Sequence, residues 1–279
     1  LLKIAQERTI PIPVFAEMGS VNPVILLPGI LEQKAEQTAA AYAGSITLGA
    51  GQFCTNPGLI FAVESPGLDL FISKLSDQIS KTPSATMLTS GIHHNYQKLS
   101  QEILSESGVN LLSTSDVLNA DLVNQSLATV ARVSASAFIA NPKLQEEIFG
   151  PYSLLVVADT MEELQAATAV LEGQLTVTLM AEKEELRNYK DFINKLTDKT
   201  GRLILNGVPT GVEVCASMQH GGPFPATNDN RFTSVGASAV YRFVRPVAWQ
   251  DWDQELLPDE LKDGNPLDIF RIVDNKWTK

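Results

Sequence analysis

Of the two cysteines in the 279-residue chain, Cys54 sits where a nucleophile could work. It lies in Gly49-Ala50-Gly51-Gln52-Phe53-Cys54-Thr55-Asn56-Pro57-Gly58, a Gly-flanked turn between a helix-like and a strand-like segment. Glycines let the backbone approach a ligand and take angles closed to other residues, so a sulfur here can be exposed while a neighbouring amide faces an oxyanion. The competing role is that of a small buried apolar residue, which free Cys often fills. Glu17 follows apolar Val14-Phe15-Ala16 and precedes Gly19. A carboxylate leaving a strand opposite a thiol can activate water for the hydrolytic half of a covalent mechanism. Its competing role is a solvated turn carboxylate. His93 and His94 have no evident partner and read as surface residues, Cys215 reads as structural, and no Cys or His spacing suggests a metal site.

These residues need a scaffold, and the apolar pattern describes one. Val14-Phe15-Ala16 and Pro23-Val24-Ile25-Leu26-Leu27 are short apolar runs bounded by Pro and Gly, the pattern of buried strands. Leu31 to about Gly49 is rich in Ala and Leu and predicts a helix that delivers the Cys54 turn. A strand is expected at Leu59 to Val63, then a helix at Leu68 to Ser80 with apolar residues at helical spacing. The alternation returns with strand Ser153 to Val157, helix Thr160 to Leu171, strand Leu175 to Met180, helix Glu182 to Lys199 and strand Arg202 to Leu205. Strands separated by helices predict an α/β fold, a mostly parallel sheet with helices on both faces. From Gly207 to Gly236 the chain is crowded with Gly, Pro, Asn and Ser, which predicts long loops. The tail from Trp249 to Lys279 resembles a segment packed onto something else.

Composition narrows the partners. A hydrophobic content of 44% supports a packed core, and the net charge of −11 repels phosphate backbones and anionic lipid surfaces. Nucleic acid and membrane are therefore not expected as partners. No apolar run approaches the roughly 20 residues that span a bilayer. The first residues lack the basic start and apolar stretch of a secretory signal, and two cysteines make no disulfide framework, so a cytoplasmic location is expected.

Three runs taken together carry a resemblance. Phe15-Ala16-Glu17-Met18-Gly19, Gly51-Gln52-Phe53-Cys54 and Gln145-Glu146-Glu147-Ile148-Phe149-Gly150-Pro151 resemble, in order and spacing, three signatures of the aldehyde dehydrogenase superfamily. The variants Gly19-Ser20-Val21-Asn22-Pro23, Gly51-Gln52-Phe53-Cys54-Thr55-Asn56-Pro57-Gly58 and His220-Gly221-Gly222-Pro223-Phe224-Pro225-Ala226 look most like the branch holding α-ketoglutaric semialdehyde dehydrogenase and a bacterial fatty aldehyde dehydrogenase. The resemblance implies oxidation of an aldehyde or semialdehyde to a carboxylate with NAD or NADP. In it Cys54 attacks the carbonyl and Glu17 is general base for hydrolysis of the thioester. The Cys54 N–H would donate to the oxyanion. Glu147 would accept from the nicotinamide ribose, with Phe149 near the ring and Gly19 on the cofactor side. Phe53 and His220 would lie at the substrate mouth, where His220 either helps to bind a polar aldehyde or caps a loop.

The resemblance starts at about Thr9, and no Gly-rich phosphate loop is evident. The expected organisation is a remnant of the amino-terminal cofactor domain over 1–20, a thiol domain over 21–206, and a loop-rich return segment and tail over 207–279. Without a starting Met the chain reads as a fragment whose missing partner is that cofactor domain, with turnover lost and a homo-oligomer conceivable. Two other classes stay open. One is a non-catalytic assembly or binding module; the other is a Cys/His hydrolase using Cys54 and His220, which requires the imidazole within hydrogen-bond reach of the sulfur.

Overall fold

The computed structural model describes residues 1–119 and 121–279. After a short helix, α1 (Leu2–Gln6), the chain enters the first strand of the main sheet, β1 (Val24–Leu26), then α2 (Pro28–Thr47), β2 (Leu59–Val63) and α3 (Pro66–Lys81). A two-residue strand, β3 (Ala85–Thr86), precedes α4 (Ser90–Leu104), β4 (Asn110–Thr114), the short β5 (Gln125–Ser126), β6 (Thr129–Ser134) and α5 (Ala135–Ala140). The series β7 (Tyr152–Ala158), α6 (Met161–Ala169), β8 (Gln174–Met180), α7 (Lys183–Asn188), α8 (Lys190–Thr197) and β9 (Thr200–Leu205) completes it.

The main sheet has seven strands in the order β4-β6-β7-β2-β1-β8-β9. All neighbours are parallel except β4 and β6, which pair antiparallel at one edge. A strand buried on both faces has no polar side to show, and β7 and β8 are accordingly buried at every position. Alternate residues feed two cores. Val24 and Leu26 face Ile30, Leu31, Leu68 and Phe71 of α2 and α3. Ile25 and Leu27 face the opposite core, which contains Tyr96 of α4, Phe138 of α5, Leu164 of α6 and Phe192 of α8. The α/β class with helices on both faces is thus the observed architecture.

Helix starts follow local chemistry. Ser65, Thr89, Ser134 and Thr160 each accept a backbone N–H two or three residues into the helix that follows, satisfying donors that have no intrahelical partner. Pro28 opens α2 a turn earlier than the apolar pattern suggests, because a first-turn proline gives up no hydrogen bond. The single helix expected over Glu182 to Lys199 is two, α7 and α8, meeting at Tyr189 with φ −108° and ψ 26°. Val14-Phe15-Ala16 is not a strand of the sheet. The segment runs beside the 226–228 loop, joined by a single bridge between Glu17 and Thr227.

The chain divides into two compact units, Leu1–Ala239 and Val240–Lys279. In the second unit β10 (Arg271–Val273) and β11 (Lys276–Thr278) pair antiparallel. Their turn residues Asp274 and Asn275 both have positive φ, 49° and 61°, as a two-residue hairpin turn demands. Trp249 and Trp252 stack edge to face at 4.9 Å. Among the described residues no helix is long and apolar enough to cross a membrane.

Phe61, 1% exposed in β2, packs edge to face on Phe138 at 5.4 Å. Replacing Phe61 by Ala is expected to lower unfolding free energy by about 3–5 kcal/mol, read as a drop in the urea midpoint.

Candidate active site

The turn carrying Cys54 is built from left-handed backbone. Gly49, Ala50 and Gly51 have φ of 56°, 58° and 64°. An L-residue in this region costs about 1–2 kcal/mol, so Ala50 is held there by its surroundings. Gly51 is required for a second reason. A Cβ on it would lie 2.2 Å from the carbonyl carbon and oxygen of Gly150, so the thiol turn and the Phe149-Gly150-Pro151 run touch backbone to backbone. Asn56 Nδ2 donates to Gly150 O at 3.1 Å and closes the same contact. Cys54 is an exposed residue.

One buried side chain, Asn22, holds this turn to the sheet. Its amide nitrogen donates to Cys54 O at 2.9 Å, Asn56 O at 3.0 Å and Ser20 O at 3.1 Å. Its oxygen accepts from Ser20 Oγ at 2.8 Å and from Thr176 Oγ1 of β8 at 3.1 Å. Gln174 Oε1 accepts the N–H groups of Val21 and Asn22 at 2.8 and 3.2 Å. The residues after Glu17 are therefore anchored to the start of β8, and the Cys54 turn is anchored to them.

Glu17 reaches the same place from another direction. Ala16 N–H donates to Asn228 Oδ1 at 2.6 Å, Asn228 Nδ2 donates to Val14 O at 2.8 Å, and Met18 N–H donates to Ala226 O at 2.9 Å. Phe15 packs edge to face on Phe232 at 4.9 Å. The 220–222 loop is locked in turn by glycine contacts: a Cβ on Gly222 would meet Gln174 O at 2.1 Å, and one on Gly201 would overlap Gly221 O at 1.8 Å. His220, 4% exposed, donates its backbone N–H to Thr233 Oγ1 at 2.8 Å.

The result is a cluster. His220 Nε2 lies 3.2 Å from Glu17 Oε2, and donor atoms of Glu17, Cys54 and His220 all lie within 4.8 Å of one another. The Cys54 sulfur and the Glu17 carboxylate beside the imidazole, in that order, push its pKa up to about 9 against the opposing effect of burial. Ser234 Oγ adds a donor to Glu17 Oε2 at 3.3 Å. The imidazole and the sulfur that a Cys/His hydrolase would use thus share one cluster. The three side chains are far apart in the chain and converge only in the fold.

Glu147, half-buried, takes the N–H of Ser20. Burial pushes its pKa up to about 7, helped by the charge of Glu17 and opposed by that hydrogen bond. Its Oε2 would be 3.1 Å from a Cβ on Gly19, so Gly19 leaves the room the carboxylate uses. Gly19, Glu146, Glu147 and Gln174 line an open hollow of about 630 Å³. Phe149 is 38% exposed and Phe53 half-buried. His94 is exposed, but His93 is half-buried with its Nε2 2.9 Å from Gln125 O, so it is tied to the fold. Cys215 is exposed, not packed as a structural cysteine would be.

Sequence reasoning missed Asn22, and it missed Arg202. Arg202 of β9 pairs in register with Thr176, so both point to the face where Thr176 meets Asn22 and Asn22 meets Cys54. Its Nε is buried without a partner. Its remaining contacts are long, Nη2 to Pro209 O at 3.5 Å and Nη1 to Met218 Sδ at 3.9 Å. Burial lowers its pKa and the charge at Cys54 raises it. An Arg in an apolar strand has no motif to mark it.

A family model described as "Aldehyde dehydrogenase family" matches residues 2–223. The chain belongs to the aldehyde dehydrogenase family. It is similar to the alpha-ketoglutaric semialdehyde dehydrogenase of Acinetobacter baylyi, 44% identical over 280 residues, covering 100% of this chain and 53% of that protein. It is likewise similar to alpha-ketoglutaric semialdehyde dehydrogenase 2 of Azospirillum brasilense, 43% identical over 276 residues, covering 99% of this chain and 52% of the relative. The chain thus spans about half the length of the curated relatives it matches. The aldehyde dehydrogenase fold is seen in a solved structure of succinic semialdehyde dehydrogenase from Streptococcus pyogenes in complex with NADP+. That structure has a TM-score of 0.65 and 18% identity, with 82% of this chain and 48% of that one covered.

The raised pKa of His220 gives a signed pH dependence. Its contribution to stability is fully present below its unfolded value of 6.5 and is lost as pH rises through about 9. The stability difference between the native chain and His220→Gln is therefore expected to shrink from pH 6.5 to above 9, measured by chemical denaturation at each pH. A difference that is constant or grows across that window contradicts the assignment.

Proposed function

We propose that this chain carries the thiol chemistry of an aldehyde dehydrogenase acting on a carboxylate-bearing aldehyde. The convergence of Cys54, Glu17 and His220 within 4.8 Å supports this reading more than any other observation. Cys54 Sγ adds to the aldehyde carbonyl to give a thiohemiacetal, with the His220 imidazole beside it. The Cys54 N–H stabilises the oxyanion. After oxidation leaves a thioester on Cys54, Glu17 takes a proton from water, which attacks the acyl carbon and releases the carboxylic acid and the thiolate.

NAD or NADP supplies the hydride acceptor when bound. Glu147 fits such a ligand: its carboxylate pairs with no cation among the described residues and lies beside an open hollow, where it can accept from ribose hydroxyls. Phe149 flanks it on the side of the Cys54 turn. Substrate class is argued from Arg202, whose under-partnered guanidinium has the charge and donors to receive a carboxylate. The named activity of both curated relatives, oxidation of a semialdehyde, agrees with that chemistry. Phe53 and His220 would then bound the substrate mouth.

A second reading has its own support. With no hydride acceptor bound, the Cys54, His220 and Glu17 array is that of a Cys/His hydrolase, and activated esters would be acylation substrates for the same thiol. An acyl-transfer test separates the roles. With p-nitrophenyl acetate the chain is expected to give a stoichiometric burst that Cys54→Ala abolishes. Glu17→Gln should keep the burst and slow the following steady state by about 10²-fold or more. A burst that survives Cys54→Ala would sink both readings.

The Arg202 assignment is checked separately. Glutarate is expected to protect Cys54 from iodoacetamide in a Cys215→Ser background, and Arg202→Gln should weaken that protection by about 10-fold or more. Equal protection in both proteins would remove Arg202 from the substrate site.

A further inference from the structure

We propose that Cys54 Sγ, His220 Nε2 and a Glu17 carboxylate oxygen form a three-donor site for a thiophilic divalent cation of the zinc class, and that its occupation silences the nucleophile. The donor set is the one zinc prefers, one thiolate, one imidazole and one carboxylate. The spacing is also suitable. Metal–N and metal–O bonds of about 2.0–2.2 Å at a tetrahedral angle put nitrogen and oxygen about 3.3 Å apart, and His220 Nε2 lies 3.2 Å from Glu17 Oε2. Sulfur falls within 4.8 Å of both, so a small side-chain adjustment brings three bonds to one point.

Three features make the site a trap for a cation and not a chance encounter. The donors come from three separately anchored segments: the Cys54 turn held by Asn22, the Glu17 segment held by Asn228, and the His220 loop held by glycine contacts to β8 and β9. Cys54 and Glu17 are exposed, so a hydrated ion can enter from solvent. The backbone of His220 is held by Thr233 and Ser234, and the residue is 4% exposed, so the ring is kept inside the cluster. Three protein donors leave a fourth position for water, as in open zinc sites. A metal ligates the thiolate and the neutral imidazole, so any protons these groups carry pass to solvent on binding, and no electron moves. Magnesium, which demands oxygen ligands, would not compete.

The inference depends on the placement of the three donors and not on the reaction proposed above. Its test has its own readout. The 279-residue Cys215→Ser chain, titrated with Co²⁺, is expected to develop sulfur-to-cobalt charge-transfer absorption saturating at one equivalent and erased by Zn²⁺. Glu17→Gln and His220→Ala should each weaken binding by more than about 10-fold, the loss that even an outer-shell partner brings. Stoichiometric Zn²⁺, and not Mg²⁺, should block alkylation of Cys54. No charge-transfer band, or a band with unchanged affinity in Glu17→Gln, which changes an exposed residue without threatening the fold, would overturn the site. Metal binding with no ester burst would sink only the reaction.

Discussion

The site depends on a single buried amide. Asn22 is 1% exposed, sits at a positive φ of 47°, and donates to the carbonyls of Cys54 and Asn56 while accepting from Ser20 and Thr176. A buried carboxamide with both ends satisfied is rigid, because breaking any one bond strands a polar group away from water. The Cys54 turn, the segment leaving Glu17 and the start of β8 are therefore one unit. Glycines complete it at points where a side chain would overlap backbone, Gly51 against Gly150 and Gly222 against Gln174.

Around this unit the electrostatics are arranged by proximity more than by depth. His220 is buried but keeps its charge because it has the sulfur on one side and a carboxylate on the other. Glu147 goes the opposite way. It has a single N–H donor and another carboxylate nearby, so burial governs it and its proton is held to about pH 7. The two groups thus titrate outside their usual ranges for opposite reasons, and each does so beside the residue that the proposed chemistry needs.

Much of the scaffold was legible in the sequence. The apolar runs at Leu59 to Val63 and Leu175 to Met180 fall within strands of the sheet, because a doubly covered strand must be continuously apolar. Cys54 and Glu17 were legible as candidates because Gly-rich turns frame them. Val14-Phe15-Ala16 misled, since an apolar run marks burial, and here Phe15 finds it against Phe232 without joining the ladder. Asn22 stands in a run that carries the resemblance, but its role, like that of Arg202, arises only from contacts across β1, β8 and β9, positions far apart along the chain. His220 was visible but could not be placed, since its ring meets sulfur and carboxylate only after a long loop folds back.

Gly51 and Gly150 touch through main chain alone, so no side-chain change can cushion one from the other. The turn of Cys54 and the run of Phe149 are consequently coupled like two teeth on one gear: a shift of either loop carries its neighbour with it. The spacing of thiol and ring is thus set by main chain, whatever side chains surround the pair.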